Sequence, residues 1–416
     1  MRARNSGRRS GFSGQSSDQL QSFEMEQATA QYVDTQPKLS ALVEHLKTQS
    51  AVGIDTEFIS EGRYEPALCL VQISTPEGIW IVDPLAIPNL KDFWQVLTEP
   101  ERELVTVAAR QEIRFCAKGA GRAPSSVLDL QVAAGLLGYG YPLSHTNLVL
   151  RLLNTKVHGG ESFTDWRKRP LSTLQLKYAA DDVRYLLQMR KKVLSRAENM
   201  GRIEWIRGEC AELVSDVVRE EEKWRIAGSA RMSRKQLAVL REVWRWRDRA
   251  AKAANIPASR VLGDSMLIEV AQRAPSSVDD LFAIRGLDKR IFRNSEVDIV
   301  NAVRLAQSLQ ESELPSNDRR DDPPQVAVLA KLLSVASNGL AAESDVDPAL
   351  LATTADLQAC VRWFLAPQEN PKPAVLQGWR GEILSEPLLG FLEGRRVVRV
   401  GNVKRANPLV FETFEK

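Results

Sequence analysis

Histidine is scarce in this chain. His45, His145 and His158 are the only three in 416 residues, and no spacing gathers them. A zinc centre built on imidazole is therefore not expected. Cysteine is almost as rare. Cys69, Cys116, Cys210 and Cys360 lie far apart with no CxxC pair. That pattern argues against a zinc ribbon or a disulfide scaffold and fits a reducing cytoplasm. No apolar run approaches the roughly 18 residues needed to span a bilayer, so no membrane partner is expected. An excess of one charge is also missing: 56 Lys and Arg against 53 Asp and Glu leave a net charge of +3. A strong polyanion-binding field is not a property of the whole molecule, so any nucleic-acid surface must be local. The opening MRARNSGRRSGFSGQSSDQ is basic and Ser/Gly-rich, without the apolar core of a secretory signal. It reads as a disordered tail over residues 1–30, with Arg2, Arg4, Arg8 and Arg9 as its cations.

What is present is length and pattern. A chain of 416 residues exceeds the size one core supports, roughly 250 residues. Leu39, Leu42, Val43 and Leu46 recur at helical spacing. Strand-like runs follow at 51–54, 68–73 and 79–82. A fourth apolar run, 104–109, leads into a helix from Arg110 that Gly119 and Gly121 would stop. Helix-like segments then dominate to Arg225, which makes residues 31–225 an α/β sheet domain. Beyond it the pattern is helical only. Residues 229–310 form one helical domain. Ser233 with Gln236 opens its long helix as a capping box, Asp264 caps the next, and Ser277 with Asp280 caps a third that Gly286 ends. The polar, Pro-rich 311–325 reads as a linker, 326–398 as a second helical domain and 399–416 as a tail.

Two acidic patterns carry the chemistry. In VGIDTEF, Asp55 and Glu57 end an apolar run. Positions i and i+2 of a strand share a face, so two carboxylates project together from a mostly buried element. A hard divalent cation would relieve their repulsion and their burial. A solvent-exposed strand end explains the same residues without chemistry. In KYAADDVRYLL, Tyr178 and Asp182 stand at i and i+4 and share a helix face. A solvated helix edge is the plainer reading of that pair alone.

Taken together, these motifs resemble the tyrosine-bearing branch of the DEDD 3′-5′ exonuclease superfamily. The runs YEPALCLVQIST, IVDPL, LDLQVAAGLLGYG and ESFTDWRKRPLSTLQLKYAADD are similar to ribonuclease D in particular. The likeness covers residues 31–225 and implies a ribonuclease-H-like fold, a mixed sheet with flanking helices, followed by all-α domains. Residues 229–310, with LREVWRWRDRAAKAANIPASRVLGDSMLIEVAQRAPSSVDDLFAIRGL, resemble an HRDC domain, and 326–398 resemble a second, HRDC-like one.

The resemblance places Asp55 and Glu57 in the first exonuclease motif and Tyr178 and Asp182 in the third. The second motif departs from the family pattern: Val107 stands where a histidine is usual, and Glu112 stands where an aspartate is usual. The added methylene displaces the carboxylate by about 1.5 Å. The implied ligands of two divalent cations, Mg²⁺ or Mn²⁺, are Asp55, Glu57, Glu112 and Asp182, with Tyr178 orienting the attacking water. Asp129 fits the family pattern and reads as a helix N-cap. Arg167, Lys168 and Arg169 in the exonuclease domain, and Arg245, Arg249 and Lys252 on one face of the long helix, are candidate phosphate contacts. For Arg245, Arg249 and Lys252 a solvated face explains the charges equally well, and for Lys177 and Arg184, which flank the third motif, solvated helix charge is the plainer reading. Trp166 reads as a packing residue rather than a stacking one. The implied activity is release of 5′-mononucleotides from 3′ ends of RNA, such as tRNA precursors or other structured RNA with a 3′ tail, by a monomeric cytoplasmic enzyme. An RNA-binding protein whose nuclease site Glu112 has impaired, and a 3′-5′ exonuclease acting on DNA, are the competing readings.

Overall fold

The short apolar runs pair into one mixed sheet. The computed structural model describes residues 30–157, 164–219, 222–287, 295–316 and 322–413. The cations of the opening tail, His158 and the middle of the 311–325 segment lie outside the described residues. The chain divides into two compact units, residues 1–56 with 70–215, and residues 57–69 with 216–416.

Residues 31–129 contain, in order, β1 (Gln31–Val33), α1 (Gln36–Lys47), β2 (Ala51–Ile59), β3 (Ala67–Thr75), β4 (Gly78–Val82), α2 (Lys91–Leu97), β5 (Glu103–Thr106), α3 (Arg110–Ala120) and β6 (Ser126–Asp129). Five helices follow: α4 (Leu130–Leu136), α5 (His145–Leu153), α6 (Thr173–Arg184), α7 (Leu186–Asn199) and α8 (Ile203–Val218). The six strands lie in the order β1-β4-β3-β2-β5-β6. β3 and β4 run antiparallel, whereas β1–β4, β2–β5 and β5–β6 are parallel. The Val/Ile-rich β4 is buried along its whole length, as strands covered on both faces are. β2 sits inside the sheet, so the strand bearing Asp55 and Glu57 is fixed by a neighbour on either side.

One contact sets how closely α6 and α7 approach that strand. A Cβ on Gly53 would lie 2.2 Å from Ser74 Oγ and 3.2 Å from Leu186. Glycine is required there, and Ser74 Oγ in turn donates to the Val183 carbonyl at 2.8 Å. The helix that carries Asp182 is thereby tied to the sheet face that Gly53 and, by strand alternation, Asp55 and Glu57 occupy. β1 and β6 are absent from the pattern-based reading because three and four residues are too few to show a period. Gly119 does not stop α3. It lies within the helix, where its missing Cβ makes room for Trp94, and the helix ends at Gly121 with φ +73°.

The second unit is mainly helical. Its helices are α9 (Arg234–Ala254), α10 (Ala258–Val261), α11 (Asp264–Arg273), α12 (Val278–Phe282), α13 (Glu296–Gln307), α14 (Pro324–Glu343), α15 (Pro348–Leu351), α16 (Thr354–Leu365) and α17 (Gly378–Leu392). Leu237, Leu240 and Val243 of α9 are buried in one core with Ile299 and Val303 of α13. The capping boxes at Ser233 and Ser277 form as the spacing requires. Asp264 does not cap α11. Gly263 takes the N-cap, and the Asp264 carboxylate accepts from the buried Arg247 guanidinium at 2.6 Å. Nor is 311–316 a loose linker: Leu314 is buried in the α9–α13 core, and Arg234 donates to the Glu311 and Leu314 carbonyls at 2.6 and 3.1 Å. Within the same unit, Tyr64 Oη donates to Asp248 at 2.8 Å, and Asn255 Oδ1 accepts from the Tyr64 and Glu65 amides.

Helix α14 is long and apolar enough to cross a membrane by length and composition, and 44% of that window is buried. Leu333, Ala336 and Leu340 are among its buried residues, and it packs against α16 and α17. After α17 the chain forms two strands, β7 (Arg396–Val400) and β8 (Leu409–Thr413), paired antiparallel. This differs from the expected helix to 398 and tail beyond. The β-branched alternation in RVVRV favours an extended backbone, and Leu409 to Thr413 supplies its partner.

Candidate metal centre

Strand alternation and one helical turn build the site. Asp55 and Glu57 share a face of β2, and the capping box of Ser172 and Gln175 opens α6 almost three turns before Asp182. Carboxylate oxygens of Asp55, Glu57 and Asp182 all lie within 4.8 Å of one another, and all three residues are half-buried. Burial pushes the Asp55 carboxyl well above the ordinary carboxylate range, and the charges of Asp182 and then Glu112 push it further; the Thr56 backbone opposes them. Three hard oxygens gathered against their own repulsion suit a divalent cation, which would favour the ionised form. The residues therefore fit such a metal.

Glu112 is not in that group. It stands in the first turn of α3, 5% exposed, and its Oε1 accepts from Thr56 Oγ1 at 2.7 Å. Thr56 lies between Asp55 and Glu57, so alternation turns it to the opposite face of β2. Glu112 thus reaches Asp55 through its charge while its carboxylate is held one residue aside. Burial raises it to about 7; the Thr56 hydroxyl and its own backbone amide lower it, and the charge of Asp129 raises it. Of the four expected ligands, three meet and the fourth is hydrogen-bonded beside them.

The turn before Glu112 is strained and held. Ala108 adopts φ +63°, a left-handed conformation that costs a non-glycine residue about 1 kcal/mol. The buried Asp129 carboxylate accepts from the amides of Ala108 at 3.2 Å, Ala109 at 2.9 Å and Gln131 at 2.9 Å. It is the N-cap expected from the sequence, and it also fastens the β5–α3 turn that delivers Glu112.

Tyr178 lies one turn before Asp182 on α6. Its ring is 6.1 Å from that of Trp166, which is 2% exposed and packs rather than offering a stacking face. Arg169, expected to grip phosphate, has its guanidinium on Asp83 at 2.5 and 2.7 Å and on the Trp166 carbonyl at 2.8 Å. Arg167 pairs with Asp165 at 2.9 Å, whereas Lys168 is exposed. Arg184 is buried and donates to Asp181, while Lys177 is exposed. On α9, Arg245 pairs with Glu222 and Glu242, whereas Arg249 and Lys252 are exposed.

Sequence reasoning missed two neighbours. Thr56 sits inside the DTEF run but reads as filler between carboxylates. His145 Nδ1 lies 3.8 Å from Asp182 Oδ1, and burial lowers its ring to about 4, so it is neutral at physiological pH. No spacing links it to Asp182; only the tertiary fold brings the start of α5 beside that carboxylate.

This sheet, with its acidic trio on β2 and α6 and a helical domain following in sequence, defines a 3′-5′ exonuclease joined to an HRDC domain. The family model for 3′-5′ exonuclease matches residues 30–198, and that for the HRDC domain matches residues 236–303. A ribonuclease D of Gluconacetobacter diazotrophicus is 34% identical over 378 residues, covering 89% of this chain and 95% of that protein. One of Nitrobacter hamburgensis is 32% identical, covering 88% and 98%. The crystal structure of Escherichia coli RNase D, an exoribonuclease involved in structured RNA processing, superimposes with a TM-score of 0.77 at 27% identity, covering 88% of this chain and 99% of that one. The chain belongs to the ribonuclease D family.

Proposed function

We propose that this chain shortens structured RNA from the 3′ end by phosphodiester hydrolysis, releasing 5′-mononucleotides, with Mg²⁺ or Mn²⁺ as the metal. The observation that carries the reading is the meeting of Asp55, Glu57 and Asp182 within 4.8 Å. When bound, a pair of such cations would supply an activated water and charge neutralisation at the leaving 3′-oxygen. Asp55, Glu57 and Asp182 would hold them. Glu112, set aside on Thr56, contributes charge, and it becomes a ligand if its side chain leaves Thr56 and turns toward Asp55. Tyr178, a turn from Asp182, orients the water by hydrogen bonding. The likeness to RNase D relatives supports RNA as substrate, and four buried cysteines, none of them in a disulfide among the described residues, support a cytoplasmic setting.

Incubation with 3′-tailed RNA and matched DNA in Mg²⁺, Mn²⁺ or EDTA tests the reading. Mononucleotides from RNA alone, abolished by EDTA and by Asp55→Ala, are expected. Release from DNA alone would favour a DNA exonuclease. RNA binding without cleavage in any metal would favour the impaired-site reading, which the Glu112–Thr56 hydrogen bond makes specific; Glu112→Asp would then test whether side-chain length is the cause.

A further inference from the structure

The β7–β8 hairpin carries a dense local charge remote in sequence from the metal centre. Arg395, Arg396, Arg399, Lys404 and Arg405 stand against only Glu393 and Glu412 over residues 393–413. That surplus equals the net charge of the whole chain, +3, so the remaining residues sum to neutrality. A chain without a global field therefore has a local one, as a polyanion-binding surface requires.

The five cations divide into two sets. Arg395 bridges Glu386 and Glu393, Arg396 pairs with Glu386, and Arg399 pairs with Glu412 at 2.6 Å. These stiffen the hairpin and its root. Lys404 and Arg405 lie exposed in the turn between the strands, where their backbone amides bond to Asn402 and no side-chain ion pair forms among the described residues. The turn is firmly mounted. The Phe411 ring meets Phe391 edge-on at 5.8 Å and lies over Gly339, where a Cβ would come within 2.5 Å, and Asn407 Nδ2 donates to the Gly339 carbonyl at 3.3 Å. Two uncommitted cations are thus held on a fixed projection. The exposed apolar side chains of the hairpin are three short valines, Val397, Val400 and Val403, of which only Val403 lies in the turn, too little to insert in a lipid surface.

We propose that the β7–β8 hairpin is an RNA-backbone grip, in which Lys404 and Arg405 contact phosphates of the structured part of the substrate. The inference rests on the reading that the substrate is RNA. Each phosphate neutralised contributes roughly 0.7 to 0.9 to the slope of log affinity against log salt. Loss of two contacts should lower that slope by about 1.5 and, at 0.1 M salt, weaken binding about thirtyfold.

The test compares the full chain with its Lys404→Gln, Arg405→Gln variant. Fluorescence anisotropy follows binding of a labelled RNA stem–loop with a 3′ single-stranded tail, in EDTA, across a salt series. Cleavage of an unstructured pentanucleotide RNA in Mn²⁺ is measured alongside. The expected result is a shallower salt slope and weaker stem–loop binding, with pentanucleotide cleavage and Tm unchanged. Equal affinity and equal slope for the two proteins would overturn the proposal. Failure of the parent chain to cleave the pentanucleotide would count against the ribonuclease reading alone, because the binding arm needs no catalysis.

Discussion

Replacing Glu112 by Gln should stabilise the metal-free protein at alkaline pH while removing its activity. Burial raises the Glu112 carboxyl from an ordinary 4.5 to about 7. Between those values the folded protein keeps a proton that the unfolded chain has released. Stability therefore falls as pH rises through this window, and the loss is complete above it. At 1.36 kcal/mol for each factor of ten, the penalty reaches about 3 kcal/mol. Only 5% of Glu112 is exposed, so solvent screens little of it. A glutamine keeps the acceptor for Thr56 Oγ1 and loses the charge. For a unit of this size, 3 kcal/mol corresponds to about 6–12 °C in Tm. Calorimetry of both proteins in EDTA at pH 5 and pH 8 would show the difference: matched Tm values for the unit at low pH, and a higher Tm for Glu112→Gln at high pH. Hydrolysis of RNA in Mn²⁺ should fall sharply in the same variant. Parallel Tm values at both pH values would mean that Glu112 ionises normally, and the electrostatic account of the site would fail with it.

Two further substitutions probe the frame around the centre. Asp129→Ala removes the acceptor for the amides of Ala108, Ala109 and Gln131 and should cost about 3 kcal/mol in urea unfolding, since hydrogen bonds to a charged group contribute most; a loss below 1 kcal/mol would show that the β5–α3 turn holds itself. Gly53→Ala drives a Cβ to within 2.2 Å of Ser74 Oγ and should destabilise by about 1–3 kcal/mol, with weaker Mn²⁺ binding by calorimetric titration as α6 is displaced; unchanged metal affinity would show that Asp182 does not depend on that close approach.

Several features were legible before any fold was known because their causes are local. Alternation placed Asp55 and Glu57 on one face, a single helical turn placed Tyr178 with Asp182, and the capping boxes at Ser233 and Ser277 are three-residue patterns satisfied by their own backbone. Resemblance supplied what periodicity does not, the joining of two motifs more than a hundred residues apart. Strands β1 and β6 were not legible, because three or four residues are held in a sheet by neighbours rather than by their own pattern.

The sequence by itself determined which side chains share a face, where most helices start, and that two acidic motifs belong to an exonuclease. Tertiary structure decided how those faces are used. It put Glu112 on Thr56 instead of among the other three carboxylates, set His145 beside Asp182, committed Arg169 to Asp83, and folded 396–413 into a hairpin with Lys404 and Arg405 exposed in its turn. The physical reason is range. Backbone geometry repeats every two residues or every 3.6 and can be read along the chain. Which distant side chain fills a given hydrogen-bonding or ionic vacancy depends on how helices and strands pack, and local spacing carries no record of that.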